Sequence, residues 1–284
     1  MRFAFKTSPQ NTTWSDMLAV WKAADDIEVF ESGWTFDHFY PIFSDPTGPC
    51  LELGDAHRAG AGHHPAARRR ARHRHPLPAP RCPGQHGLRP GHRLRRSLEL
   101  GIGAGWNEEE SGAYGIELGS IKERFDRFEE ACQVLRGLLS QETTTFDGTY
   151  YQLKDARNEP KGPQQPHPPI CIGGNGEKRT LRITAQYADH WNFVGGTPEE
   201  FARKRDVLAA HCADVGRDPK EILLSAHVRL GEDRNYRRVV EDSIALGAEG
   251  LDLAIIYLPP PYDPAVLEPL AETIRDSGLL SKDR

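Results

Sequence analysis

From Leu98 onward the chain alternates short apolar runs with longer amphipathic stretches, and this rhythm restricts the fold more than any other feature. Leu98 to Asn107 is an apolar run that ends in a glycine-rich turn, and Pro169–Ile172, Ala188–Val194, Ile222–Leu230 and Leu251–Tyr257 read as strands. Between them, Ile121–Leu139 carries Phe125, Phe128, Cys132, Leu135 and Leu139 at steps of three and four, the mark of a helix with one buried face. Glu177–Tyr187 and Tyr236–Leu246 are further helices. Another opens at Thr197-Pro198-Glu199-Glu200, a capping box with proline at the first helical position, and closes near Gly216. The N-terminal portion follows the same plan, with a strand at Arg2–Lys6, a helix at Trp14–Ala24 capped by Thr13 or Ser15, and a strand at Ile27–Trp34. Strand and helix in alternation predict parallel βα units. A length of 284 residues suits a single domain, 1–284, folded as an α/β, (β/α)8 TIM barrel, since such barrels take about 250 residues.

Composition excludes several function classes. The five cysteines, Cys50, Cys82, Cys132, Cys171 and Cys212, are widely spaced and include no CxxC pair, so they read as reduced thiols and not as a disulfide framework or zinc site. No run approaches the ~20 apolar residues of a membrane span. The first residues hold no apolar stretch long enough for a signal peptide, and the expected location is the cytoplasm. Eleven of the 36 basic residues fall between Ala56 and Arg96, a stretch without Asp or Glu, which leaves 25 against 41 acidic residues elsewhere. An acidic body gives no support to nucleic-acid binding.

That basic stretch contradicts its surroundings. Residues 54–97 contain no Val, Ile, Met, Phe, Tyr or Trp, and beyond alanine only Leu77, Leu88, Leu94 and Cys82 are apolar. Such a segment cannot bury enough surface to offset the entropy of ordering it. A barrel needs helix, strand and helix here. One reading is a disordered basic insert for RNA or a membrane. Another is a metal site made by His57, His63, His64, His73 and His75. The third is an ordinary barrel segment translated out of frame over residues 53–97, and it can be tested on the protein alone. With each codon begun one nucleotide later, Leu53–Arg58 permits Trp-Ala-Met-Leu-Thr-Ala, and His73–Pro80 permits Thr-Gly-Ile-Pro-Tyr-Arg-His-Pro. Pro83–Gly87 permits Leu-Ala-Asn-Met-Ala, and Gly91–Ser97 permits Asp-Ile-Val-Ser-Gly-Gly followed by the start of Arg. One constant offset restores a barrel-like pattern throughout, so the frame reading is preferred. It removes any metal constellation. It also predicts a barrel left incomplete at the third strand, in a chain that folds poorly and turns over little.

The remaining words of the sequence are recognisable together. They are Thr35-Phe36-Asp37-His38-Phe39, Leu98-Glu99-Leu100-Gly101-Ile102-Gly103-Ala104-Gly105-Trp106-Asn107, Arg124 to Ala131, Phe146-Asp147-Gly148-Thr149-Tyr150-Tyr151, Pro168 to Gly176, and Tyr187 to Asn192. In this order and spacing the chain resembles the luciferase-like monooxygenase superfamily, and within it the F420-dependent oxidoreductases. The resemblance covers nearly the whole chain outside the basic stretch. It implies hydride transfer between coenzyme F420 and a small organic substrate. An FMN-dependent monooxygenase on the same barrel is the alternative, and a non-catalytic protein binding through its basic loop is the third. Monomer and homodimer both stay open.

Candidate site residues follow. Gly173-Gly174-Asn175-Gly176 precedes a helix, where free backbone N–H groups suit an anion, and the resemblance puts the cofactor phosphate there. Gly101, Ile102 and Gly103 let backbone approach a flat ring closely, because glycine has no Cβ. The resemblance adds Asn107 and Asp37 as cofactor contacts and His38 as the catalytic acid or base, a role imidazole chemistry allows. Some relatives carry Glu where this chain has Ala104, so their sugar-phosphate dehydrogenase activity is not carried over. Glu108, Glu109 and Glu110 read as a solvated helix start. No metal is expected.

Overall fold

The structure is a computed structural model that describes residues 1–42, 44–51, 98–162 and 164–280, together with the backbone of 85–88. The strands are β1 (Arg2–Lys6), β2 (Phe30–Phe36), β3 (Gln85–Leu88), β4 (Leu98–Ile102), β5 (Thr144–Asp147), β6 (Gln152–Ala156), β7 (Ile170–Gly173), β8 (His190–Phe193), β9 (Leu223–Arg229) and β10 (Leu253–Tyr257). The helices are α1 (Trp14–Asp25), α2 (Glu108–Ala113), α3 (Ile121–Ser140), α4 (Thr180–Tyr187), α5 (Pro198–Asp214), α6 (Tyr236–Ala248) and α7 (Leu267–Asp276). Eight strands close a barrel in the order β1-β10-β9-β8-β7-β4-β3-β2, while β5 and β6 form a separate hairpin.

Seven barrel strands run parallel, as the alternation of elements requires. The eighth differs. β3 pairs antiparallel with β2, Gly33 opposite Leu88 and Phe36 opposite Gln85, and antiparallel with β4, His86 opposite Leu100. The place between β2 and β4, where the fold calls for a third parallel strand, is taken by β3 running the other way. The ring is nevertheless spanned, so β2 and β4 do not present the open edges that the loss of a strand implied. The remainder of the basic stretch, with its histidine cluster and Cys82, lies outside the described residues.

The period-two alternation of each strand sorts its side chains into two cores. Outward residues meet the helices: Phe3, Phe5, Phe193, Val228 and Ile256 pack with Met17 and Val20 of α1, Leu208 of α5 and Leu270 of α7. Leu267, Leu270, Ala271 and Ile274 of α7 are fully buried, and each large aliphatic among them contributes about 1.5–3 kcal/mol relative to exposure. Inward residues Ala4, Trp34, Cys171, Leu253 and Ile255 plug the barrel floor. The capping box at Thr197 and Glu200 is present as predicted, and Ser120 with Glu123 forms a second on α3. α4 begins three residues later than its apolar pattern suggested, because Glu177–Arg179 form a turn before it, and no side chain caps it at Arg179.

Candidate active site

The floor of aliphatic and aromatic side chains leaves a cavity of about 450 Å³ at the C-terminal ends of the parallel strands, the end where barrels of this kind place their chemistry. Its two long walls are unlike each other. One is backbone. Gly101 to Trp106, following β4, and Gly173-Gly174, following β7, line it. A Cβ added to Gly103 would have only the Gly173 carbonyl near it, at 4.0 Å, so the space in front of Gly103 is open and could take the face of a flat ring. Gly105 and Gly174 hold φ of +81° and +129°, values that side-chain-bearing residues rarely adopt.

The opposite wall is cationic and aromatic, and sequence reasoning missed it. The parallel register aligns Lys6 with Tyr257 and Tyr257 with Arg229 across β1, β10 and β9. All three line the cavity, with His227 and Phe36. Lys6 is fully buried. Its Nζ stands 3.4 Å from His227 Nε2, 4.6 Å from the Tyr257 ring centroid and 5.1 Å from that of Phe36. Arg229 lies over the same tyrosine ring, 5.0 Å from its centroid. Burial above all, with the Arg229 charge adding to it and Cys171 opposing, holds the Lys6 ammonium well below its ordinary range. Burial, then Lys6 and Arg229, pushes the His227 imidazole down as well, so it is neutral. Among the described residues, no Asp or Glu lines the cavity. Each of these residues falls at a strand end, and that position was the available signal.

His38, on the loop after β2, reaches the mouth of the cavity. Its Nδ1 donates to Glu110 Oε2 at 2.7 Å, and the other oxygen of Glu110 accepts from the Phe39 backbone N–H. Glu110 is 3% exposed. It therefore departs from the solvated helix start expected of residues 108–110, whereas Glu108 and Glu109 are exposed. Asn107 explains the difference. Its Oδ1 accepts from the Glu110 N–H at 3.1 Å and caps α2, which turns the third acidic side chain inward. Trp106, 55% exposed, meets the His38 ring edge-on at 6.2 Å.

Of the residues predicted from sequence, His38, Gly101, Ile102, Gly103, Gly173 and Gly174 are brought together around the cavity. Asp37, Asn107, Asn175 and Gly176 stand outside its lining. Asn175 joins two loops instead, donating to the Gly195 carbonyl at 3.0 Å and accepting from the Val194 N–H at 3.2 Å. A Cβ on Gly176 would come within 2.8 Å of the Thr180 hydroxyl, so this glycine lets α4 start close to the strand end. Asp37 is half-buried. Together with Glu110 it adds to burial in pushing the Cys50 thiol up to about 11.

Beneath the cavity lies a buried polar chain. His190 Nδ1 bonds Glu99, its Nε2 bonds the Ser225 hydroxyl at 2.6 Å, and Asn192 donates to the same hydroxyl at 2.8 Å. Glu99, Cys171 and His190 bring possible ligand atoms within 4.8 Å of one another. Both imidazole nitrogens are already engaged, and burial followed by the Glu99 charge holds the Cys171 thiol well above its usual range. Ser225 is fully buried. The group is a hydrogen-bonded floor, not an accessible nucleophile.

Residues 98–249, more than half of the chain, match the family of luciferase-like monooxygenases. The chain belongs to that family. Among curated proteins it is similar to the FMNH2-dependent dimethylsulfone monooxygenase of Pseudomonas putida, 32% identical over 149 residues, which are 52% of this chain and 40% of the relative. It is also similar to the pyrimidine monooxygenase RutA of Methylobacterium radiotolerans, 33% identical over 173 residues, 53% of this chain and 42% of that one. The chain thus spans less than half the length of these relatives. Among solved structures, the F420-dependent tetrahydromethanopterin reductase of Methanopyrus kandleri superposes with a TM-score of 0.65 at 11% identity, covering 98% of this chain and 99% of that one. An F420-dependent secondary alcohol dehydrogenase superposes with a TM-score of 0.61 at 20% identity, covering 99% and 82%. These likenesses establish the luciferase-like barrel, a fold that holds members using FMN and members using F420. No helix among the described residues is long and apolar enough to cross a membrane.

Proposed function

We propose that the cavity binds reduced FMN and that the protein is a monooxygenase acting on a small organic substrate. The supporting observation is the glycine-lined wall of Gly101, Gly103, Gly173 and Gly174 on the cavity that His38 also reaches. FMN is preferred over F420 because the two curated relatives above are monooxygenases, one of them named for its use of FMNH2. Bound reduced FMN would supply two electrons and activate dioxygen, so that one oxygen atom enters the substrate and the other leaves as water.

The residues of this chain have definable tasks in such a reaction. Gly101, Gly103, Gly173 and Gly174 would carry the ring face, and the N–H groups near Gly174 and the start of α4 would hold the phosphate. Phe36, Phe125, Phe128 and Tyr257 exclude water from the reacting centre. Glu110 fixes the Nδ1–H tautomer of His38 and leaves Nε2 to take or return a proton at the mouth.

The second reading is hydride transfer with F420, the activity first implied by the sequence. It is favoured by His38, which lines the cavity where that resemblance puts an acid or base beside the deazaflavin. Separate titrations with FMN and F420, followed by absorbance or fluorescence, decide between them. Preferential FMN binding, with substrate-dependent oxygen uptake after reduction, is the expected result. Binding of F420 alone would favour the second reading, and binding of neither would end both.

A further inference from the structure

The cationic wall is unexplained by a cofactor ring seated against the glycines. Lys6, Tyr257 and Arg229 form one row across three adjacent strands, β1, β10 and β9, while β4 and β7 form the glycine wall on another arc of the ring. Among the described residues neither Lys6 nor Arg229 is ion-paired with a carboxylate, and none of the cavity-lining residues is acidic. The contacts they do have are with a neutral imidazole and two aromatic faces. A fully buried ammonium with such partners is short of a counter-charge. The rest of the chain carries an excess of acidic residues, so the basic character of this wall is local and not a property of the body.

We infer that Lys6, His227, Tyr257 and Arg229 form a subsite that receives an oxyanion of the substrate, a carboxylate or sulfonate. The inference rests on reading the cavity as an active site and names the substrate class for it. Lys6 Nζ supplies the inner donor, and Arg229, at the exposed end of β9, supplies an outer one. Tyr257 stands between the two cations with its ring against both, and its hydroxyl stays protonated because burial pushes it above the ordinary phenol range. His227 Nε2 faces Lys6 Nζ at 3.4 Å, so the imidazole backs the ammonium without competing for the anion. An anion held here is separated from the glycine wall by the width of the cavity, which leaves the body of the substrate between the two.

The test uses matched pairs that differ in charge, methanesulfonate against dimethyl sulfone and benzoate against benzamide. Each is titrated calorimetrically into the wild-type protein, Lys6→Met and Arg229→Gln, with and without saturating FMN or F420. The wild type should take each anion about ten-fold or more tighter than its neutral partner, and each substitution should remove most of that preference. Cofactor affinity should change by less than about two-fold. Equal affinity for charged and neutral partners in the wild type, or a preference that survives both substitutions, overturns the inference. So does a loss of cofactor affinity as large as the loss of anion affinity, which would assign the row to the cofactor. An intact anion preference in a protein that binds neither FMN nor F420 would remove the redox reading and leave the oxyanion subsite standing.

Discussion

His38 Nδ1 donates to Glu110 Oε2 at 2.7 Å, and the second oxygen of that carboxylate holds the Phe39 N–H. One buried side chain therefore sets both the tautomer of the imidazole and the path of the loop that carries it. His38→Gln should lower the rate of substrate-dependent cofactor oxidation by about 10²–10⁴-fold, the usual contribution of a positioned acid or base. Stopped-flow comparison with the wild type checks this, and a change below two- or three-fold would remove His38 from the chemistry.

Glu110→Ala should cost more stability than His38→Gln. It leaves the Phe39 N–H and the His38 ring without their acceptor, and each buried orphan costs about 1–3 kcal/mol. Urea denaturation followed by circular dichroism measures the difference. Equal midpoints for Glu110→Ala and the wild type would contradict it.

Gly103→Val should weaken FMN or F420 binding by about ten-fold or more while leaving the unfolding temperature almost unchanged. The new side chain enters open space in front of the backbone wall and meets no protein atom nearer than the Gly173 carbonyl at 4.0 Å from its Cβ. Fluorescence titration and a thermal melt on the same sample give the two readouts.

Lys6→Met should raise the unfolding temperature at neutral pH. The folded chain holds the Lys6 ammonium well below its ordinary 10.5, so between the lowered value and 10.5 unfolding takes up a proton, and stability rises with pH through that window. Below the window the penalty for burying the charge is present in full. The methionine variant escapes it, and its advantage should shrink as the pH approaches 10.5. At this chain length about 1 kcal/mol moves the melting temperature by about 2–4 °C, so melts at pH 7 and near pH 10 suffice. An advantage that grows with pH would show the sign to be wrong.

Replacing residues 53–97 by the translation of the frame one nucleotide later should raise both the cooperativity of unfolding and the turnover rate. Calorimetry and an activity assay on the two chains measure this. Nucleotides incompatible with the alternative codons would rule the frame reading out.

Much of the barrel could be read from the chain because its signals are local. The capping box at Thr197, the period of Phe125, Phe128 and Cys132, and the glycine turns after β4 and β7 each depend on neighbours within a few residues. The backbone wall of the site was legible for the same reason. The cationic wall was not, because most of the chain separates Lys6 from Arg229 and Tyr257, and the three become a row only through strand register. Glu110 was misread for a related reason. Three consecutive acids look alike in sequence, and the Asn107 cap decides which one turns inward. Nothing in the composition of the basic stretch foretold that Gln85–Leu88 would run against its neighbours.

The reversed direction of β3 makes the mouth a horseshoe. Gln85 lies level with Phe36 at the rim and Leu88 level with Gly33 deeper in the barrel. Seven strands hand their outgoing chain to the rim, and this one hands over its incoming chain instead. The rim is therefore not uniform: at β3 a strand begins there, and at the other seven positions a strand ends.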